Sequence, residues 1–132
     1  MRRSDISTIF INRLLKIYNP WYPLDLDHEI DFSKIRLVRN YREIRSKSYS
    51  LGRIKYLIRK IKTDCWVPDA IEIDNIWSGG CPCGVIIIDG HHRVIAAFLA
   101  GLKTIECTYS GDLDILNWMT GRVSKIPSIL GF

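Results

Sequence analysis

Apolar positions in this chain recur at two periods, and each change of period marks an expected change of element. From Asp5 to Tyr18, residues Ile6, Ile9, Phe10, Leu14 and Ile17 fall at helical spacing, predicting an amphipathic helix capped by Ser4 or Asp5. The run Asn19-Pro20-Trp21-Tyr22-Pro23 ends it, and an acidic loop, Asp25 to Asp31, follows. Ile35 to Val38 is a candidate first strand, while Arg39 to Ser50 has no period and reads as an exposed loop. Helical spacing returns from Leu51 to Lys62, with Ile54, Leu57, Ile58 and Ile61 on one face. Pro68 separates that helix from a short strand, Ala70 to Ile73. Trp77-Ser78-Gly79-Gly80, with Cys81-Pro82-Cys83, then predicts a hairpin-type connection to a buried strand, Val85 to Ile88. Asp89-Gly90 makes a turn into a helix that starts at His91 and closes at Gly101. A strand at Ile105 to Tyr109 and a helix at Asp112 to Met119, capped near Asp112, complete the pattern. The tail after Gly121 is assigned no element.

This order of helix, strand, helix, two strands, helix, strand and helix mixes a hairpin with strand–helix crossovers. It predicts an α/β (α+β) fold, a compact single domain with a small mixed β-sheet flanked by helices. Residues 1–33 read as an N-terminal helix and acidic loop, 34–110 as the core, and 111–132 as a C-terminal helix and tail, all in one globular unit. The length of 132 residues fits one domain, and 47% hydrophobic with 25% charged content is ordinary for a globular protein. No apolar run approaches the roughly 18 to 20 residues of a membrane span, so no membrane partner is expected. The N-terminus begins basic, but Asp5, Asn12, Arg13 and Lys16 interrupt any signal-peptide core, which points to the cytoplasm.

Charge changes this picture. The formal net charge is +5, yet Lys34 to Lys62 holds eleven Lys and Arg against one acid, Glu43. The rest carries eight basic and thirteen acidic side chains. A basic block beside an acidic body suits a polyanion: nucleic acid, a nucleotide or a phosphorylated substrate. A solvated helix face explains the same block equally well. The four cysteines (Cys65, Cys81, Cys83, Cys107) have neither disulfide-framework nor ordinary zinc spacing, and Cys107 reads as a small buried hydrophobe.

The candidate chemistry concentrates at Asp89-Gly90-His91-His92-Arg93. A helix N-terminus has unpartnered N–H groups and a dipole that favours anions, so two histidines and an arginine there point to phosphate. Gly90 permits the tight turn. Asp89 is either a helix cap or a carboxylate that orients Mg²⁺ or takes a proton from a hydroxyl nucleophile. At least one of His91 and His92 is expected to contact an anion. Arg93 suits bidentate phosphate contact, against an ion pair with Asp89 or Asp69. Glu43 is a candidate base or a salt-bridge partner, and Tyr41, Arg42, Arg45 and Tyr49 stand around it in sequence. Trp21, Trp66 and Trp77 offer base stacking, with core packing as the more ordinary role.

The basic helix, the Pro68-to-Asp74 strand, the glycine-bearing connection and Ile86-to-Cys107, with its Asp-Gly-His-His-Arg turn, together resemble the ParB/sulfiredoxin superfamily. The resemblance runs from about Lys34 to Tyr109. ParB proteins have a Gly-Glu-Arg-Arg type motif at Gly90, His91, His92 and Arg93 and bind CTP; only Gly90 and Arg93 match. Sulfiredoxins place their reactive cysteine at the position of His91. The turn is most similar to that of the superfamily's free serine kinases, which transfer a phosphoryl group from a nucleotide and use a glutamate after the first strand, where Glu43 is this chain's candidate. The resemblance implies a nucleotide (ATP, ADP or CTP) with Mg²⁺. Gly90, His91, His92 and Arg93 would bind it, Asp89 would meet the metal, and Asp89, Glu43 and His91 would be catalytic. After Tyr109 there is one expected helix, too little for the helix-turn-helix with which ParB proteins read DNA. The competing expectation is a non-enzymatic nucleic-acid or protein-binding module that uses the basic 34–62 face.

Overall fold

The computed structural model describes residues 6–24, 26, 47–78 and 80–130. It is an α+β domain, a four-stranded mixed sheet with four α-helices among the described residues, as the sequence order predicts. The strands are β1 (Ile6–Phe10), β2 (Ile71–Ser78), β3 (Cys81–Asp89) and β4 (Thr104–Thr108). The helices are α1 (Ile11–Ile17), α2 (Lys47–Asp64), α3 (His91–Leu99) and α4 (Leu113–Met119). Strand order is β1-β4-β2-β3, with β4 parallel to β2 and the outer pairs antiparallel. No helix among the described residues is long and apolar enough to cross a membrane.

The N-terminal helix is the main correction. Ile6–Phe10 is an edge strand paired with β4, Ile9 facing Ile105, and the helix begins only at Ile11. Ile6, Ile9 and Phe10 satisfy helical spacing, but Ile-Ser-Thr-Ile is rich in β-branched residues, and the distant partner strand settles the matter. The 1–33 segment therefore contributes a strand to the same sheet. The expected cap at Ser4 or Asp5, the acidic loop beyond Leu26 and the strand at 35–38 lie outside the described residues.

Elsewhere the elements stand where expected to within two residues at α3, β4 and α4, while α2, β2 and β3 run longer. The second helix extends from Lys47 to Asp64, and the expected Ala70–Ile73 strand continues to Ser78. Ser78 pairs with Cys81 across the hairpin, so Cys81-Pro82-Cys83 belongs to β3 rather than to a loop. Pro82 is tolerated because β3 is an edge strand and the register shifts between Ile76 and Trp77.

One sheet face forms the core. Ile9, Ile71, Ile73, Val85, Ile87, Ile105 and Cys107 point inward and join Ile54, Leu57 and Ile61 of α2 and Val94 to Ala97 of α3. Burial pushes the Cys107 thiol up to about 11, which leaves it an inert apolar group. Asp112 caps α4 as expected, its carboxylate accepting the Ile115 N–H at 2.9 Å. The turn before it is tied by Tyr109, whose hydroxyl donates to Asn75 and accepts from the Asp112 N–H. Burial drives that phenol up to about 12, so it stays a neutral donor.

Candidate functional site

Strand β3 ends at Asp89, Gly90 turns, and α3 begins at His91. Gly90 is the N-cap, at φ 115°, and no side chain caps the helix there. Its conformation is left-handed, and a Cβ would stand 2.5 Å from Ile71 Cγ2 and 3.3 Å from Ile71 Cα. The start of β2 thus presses directly on the turn, and only glycine fits.

Each of the next three side chains is held by a different part of the chain. The Tyr18 hydroxyl, just after α1, lies 2.8 Å from His91 Nε2, with the two rings 5.9 Å apart. Ser50, a buried residue of α2, places its Oγ 3.1 Å from His92 Nε2. Arg93 donates from Nη1 to the carbonyls of Ala70 (2.9 Å) and Asp69 (3.2 Å), and from Nη2 to Asp89 (2.9 Å). The site is therefore assembled from α1, α2, the approach to β2, and the β3–α3 turn.

Electrostatics assign states to these groups. Desolvation holds His91 below the ordinary histidine value, and the nearby Asp89 carboxylate only partly opposes it. Burial also raises Tyr18, against a hydrogen bond from the Ile87 backbone. A protonated phenol and a neutral imidazole share one hydrogen across this contact, the phenol donating or accepting according to which ring nitrogen of His91 carries the proton. Asp89 is 77% exposed, and it reaches Arg93 as a surface partner.

Arg93 is engaged as the ion-pair reading anticipated, with two backbone carbonyls added. Asp89 does not cap the helix; Gly90 occupies that place. Glu43, Tyr41, Arg42 and Arg45 lie outside the described residues, as does the Tyr49 side chain. Trp21 is buried, edge-on to Phe98 at 5.8 Å, and Trp66 lies under Lys60. Trp77 is exposed but sits at the far end of β2, five residues from Glu72, about 16 Å at strand rise. Sequence reasoning missed Tyr18 and Ser50. Tyr18 directly precedes the helix-ending Asn19-Pro20, and Ser50 closes a stretch with no period, so neither carried a signal.

Among the described residues, no three His, Cys, Asp or Glu side chains converge on a metal site. Asp89 alone does not make a resident Mg²⁺ centre, since that ion needs several oxygen ligands and is commonly carried on substrate phosphates. No family model matches the chain, and no curated protein or solved structure matches it either.

Proposed function

We propose that this domain binds a nucleotide or a similar phosphorylated small molecule at the N-terminus of α3, as a nucleotide-dependent phosphotransferase or hydrolase. The observation that carries the reading is the uncapped first turn of α3, flanked by His91 and His92, each fixed by a hydroxyl from another element. First-turn N–H groups have no intrahelical acceptor, and the helix dipole adds positive potential there. Phosphate oxygens supply both what those groups lack and the negative charge that lets His91 take a proton. The nucleotide class rests on the resemblance of the Asp-Gly-His-His-Arg turn to the superfamily's kinases.

In this reading Gly90 gives the backbone its close approach, His91 and His92 bind phosphate, and Arg93 holds the turn against β2. Asp89 stands exposed beside the bound phosphate, where its carboxylate meets a nucleotide-borne Mg²⁺ or takes a proton from an attacking hydroxyl. A Mg²⁺ brought by the nucleotide would offset phosphate charge, with Asp89 as the residue that would meet it.

Thermal melting with ATP, ADP and CTP, each with Mg²⁺, tests this. A nucleotide at one hundred times its Kd stabilises by about 2.7 kcal/mol, a rise of roughly 10 °C for a chain of this size. His92→Ala removes that rise while leaving a folded protein. No rise with any nucleotide defeats the proposal.

A second reading has its own observation. From Lys47 to Lys62 helix α2 contains no acid, and Arg59 and Lys62 are exposed. This face suits nucleic-acid phosphates. Salt-dependent DNA or RNA retention, weakened by Lys55→Glu with Arg59→Glu and indifferent to His92→Ala, would favour it.

A further inference from the structure

Strand β3 carries Val85-Ile86-Ile87-Ile88, an unbroken apolar run of the kind found in strands buried on both faces. Here one face is covered: Val85 and Ile87 are in the core, whereas Ile86 is 37% and Ile88 52% exposed. Ile76 on β2 joins them, opposite Gly84, and Trp77 is 61% exposed beside it. The same open face continues across Glu72 and Thr108 to Ile6 on β1.

Charge on this face is one-sided. Glu72, Asp74 and Glu106 are exposed on it, Asp89 borders it, and the four strands contain no Lys or Arg. Glu72 and Asp74 line a hollow of about 280 Å³ with Ile88, Thr108, Tyr109 and Ser110. Nucleic acid and anionic membranes are repelled by such a surface. Two copies packed face to face would oppose carboxylate to carboxylate, which is unfavourable at an interface. What the surface complements is apolar and positively charged together. A helix laid on a sheet is a standard layer in α/β architecture.

We propose that the open face of the sheet docks an amphipathic basic helix of a partner protein. Its apolar stripe covers Ile76, Ile86 and Ile88, and a Lys or Arg side chain enters the hollow between Glu72 and Asp74. This surface works independently of the phosphate site at α3.

The probe is a labelled helical peptide of leucine and lysine, about 18 residues so that it forms a helix on contact, with a leucine–glutamate peptide beside it. Fluorescence anisotropy is expected to show binding of the lysine peptide that weakens with salt, and none of the glutamate peptide. Glu72→Lys with Asp74→Lys weakens binding at least about tenfold, and Ile86→Ser with Ile88→Ser does likewise. Circular dichroism melts identify which variants are folded, and these exposed positions give two independent routes to the answer. No binding by the wild type, equal binding by both folded variants, or a wild-type dimer that Ile86→Ser with Ile88→Ser dissolves would each overturn the proposal, the last assigning the face to a second copy.

Discussion

Replacing Gly90 with alanine tests whether β2 presses on the β3–α3 turn. The added methyl would meet Ile71 at 2.5 Å (Cγ2), 2.8 Å (Cβ) and 3.3 Å (Cα). Ile71 has no exposed surface, and its strand is paired on both sides, so it has nowhere to move. Two costs add. A left-handed conformation without glycine costs roughly 1–2 kcal/mol, and overpacking a close-packed site costs about 1–3 kcal/mol. Together they give about 2–5 kcal/mol, or a fall in Tm of roughly 6–20 °C for a domain of this size. Gly101→Ala is the internal control. Its φ is 87°, but nothing lies within 4 Å of the new Cβ. It should therefore show the conformational cost alone, about 1–2 kcal/mol. Urea denaturation of both variants, with unchanged m, reads the difference. If Gly90→Ala costs no more than Gly101→Ala, the contact between Ile71 and the turn is not as described.

Other outcomes follow from the same geometry. Arg93→Ala should lose about 1.5–3 kcal/mol, because it removes charged hydrogen bonds to the Asp69 and Ala70 carbonyls. Asp89→Asn should cost under about 0.5 kcal/mol, since its ion pair is solvent-screened; denaturant melts that rank the two in the other order would show that the ion pair, not the carbonyl contacts, holds β2. His91 has its pKa lowered by folding, so its contribution to stability is complete above the unfolded value near 6.5 and is lost as pH falls through that value toward the folded one. Melting temperature between pH 7 and pH 5 should then fall more steeply for wild type than for His91→Phe, and parallel curves would contradict a desolvated neutral imidazole.

Much of the site was legible in sequence because it is local. A strand, Asp-Gly, and a helix opening on three polar side chains are contiguous, and the β3–α3 junction stands where that pattern put it. The β2–β3 hairpin and the Asp112 cap were legible for the same reason. What escaped was long-range. Strand β1 depends on β4, almost a hundred residues away, for its hydrogen bonds, and its own spacing fits either period. Tyr18 and Ser50 become candidate site residues only because the chain just after α1 reaches His91 and α2 packs beside α3. The run Val85 to Ile88 reads as a buried strand, yet Ile86 and Ile88 stand exposed on the face that the helices leave uncovered.

The first turn of α3 is the proposed phosphate site. Backbone amide resonances of His91, His92 and Arg93, followed by NMR while Mg²⁺ and the best-stabilising nucleotide are titrated, test it directly. These three amides are expected to move most, with Gly90 and the Tyr18 and Ser50 signals responding beside them. Saturable shifts centred on α2 instead, or no shifts in the α3 turn, would contradict it.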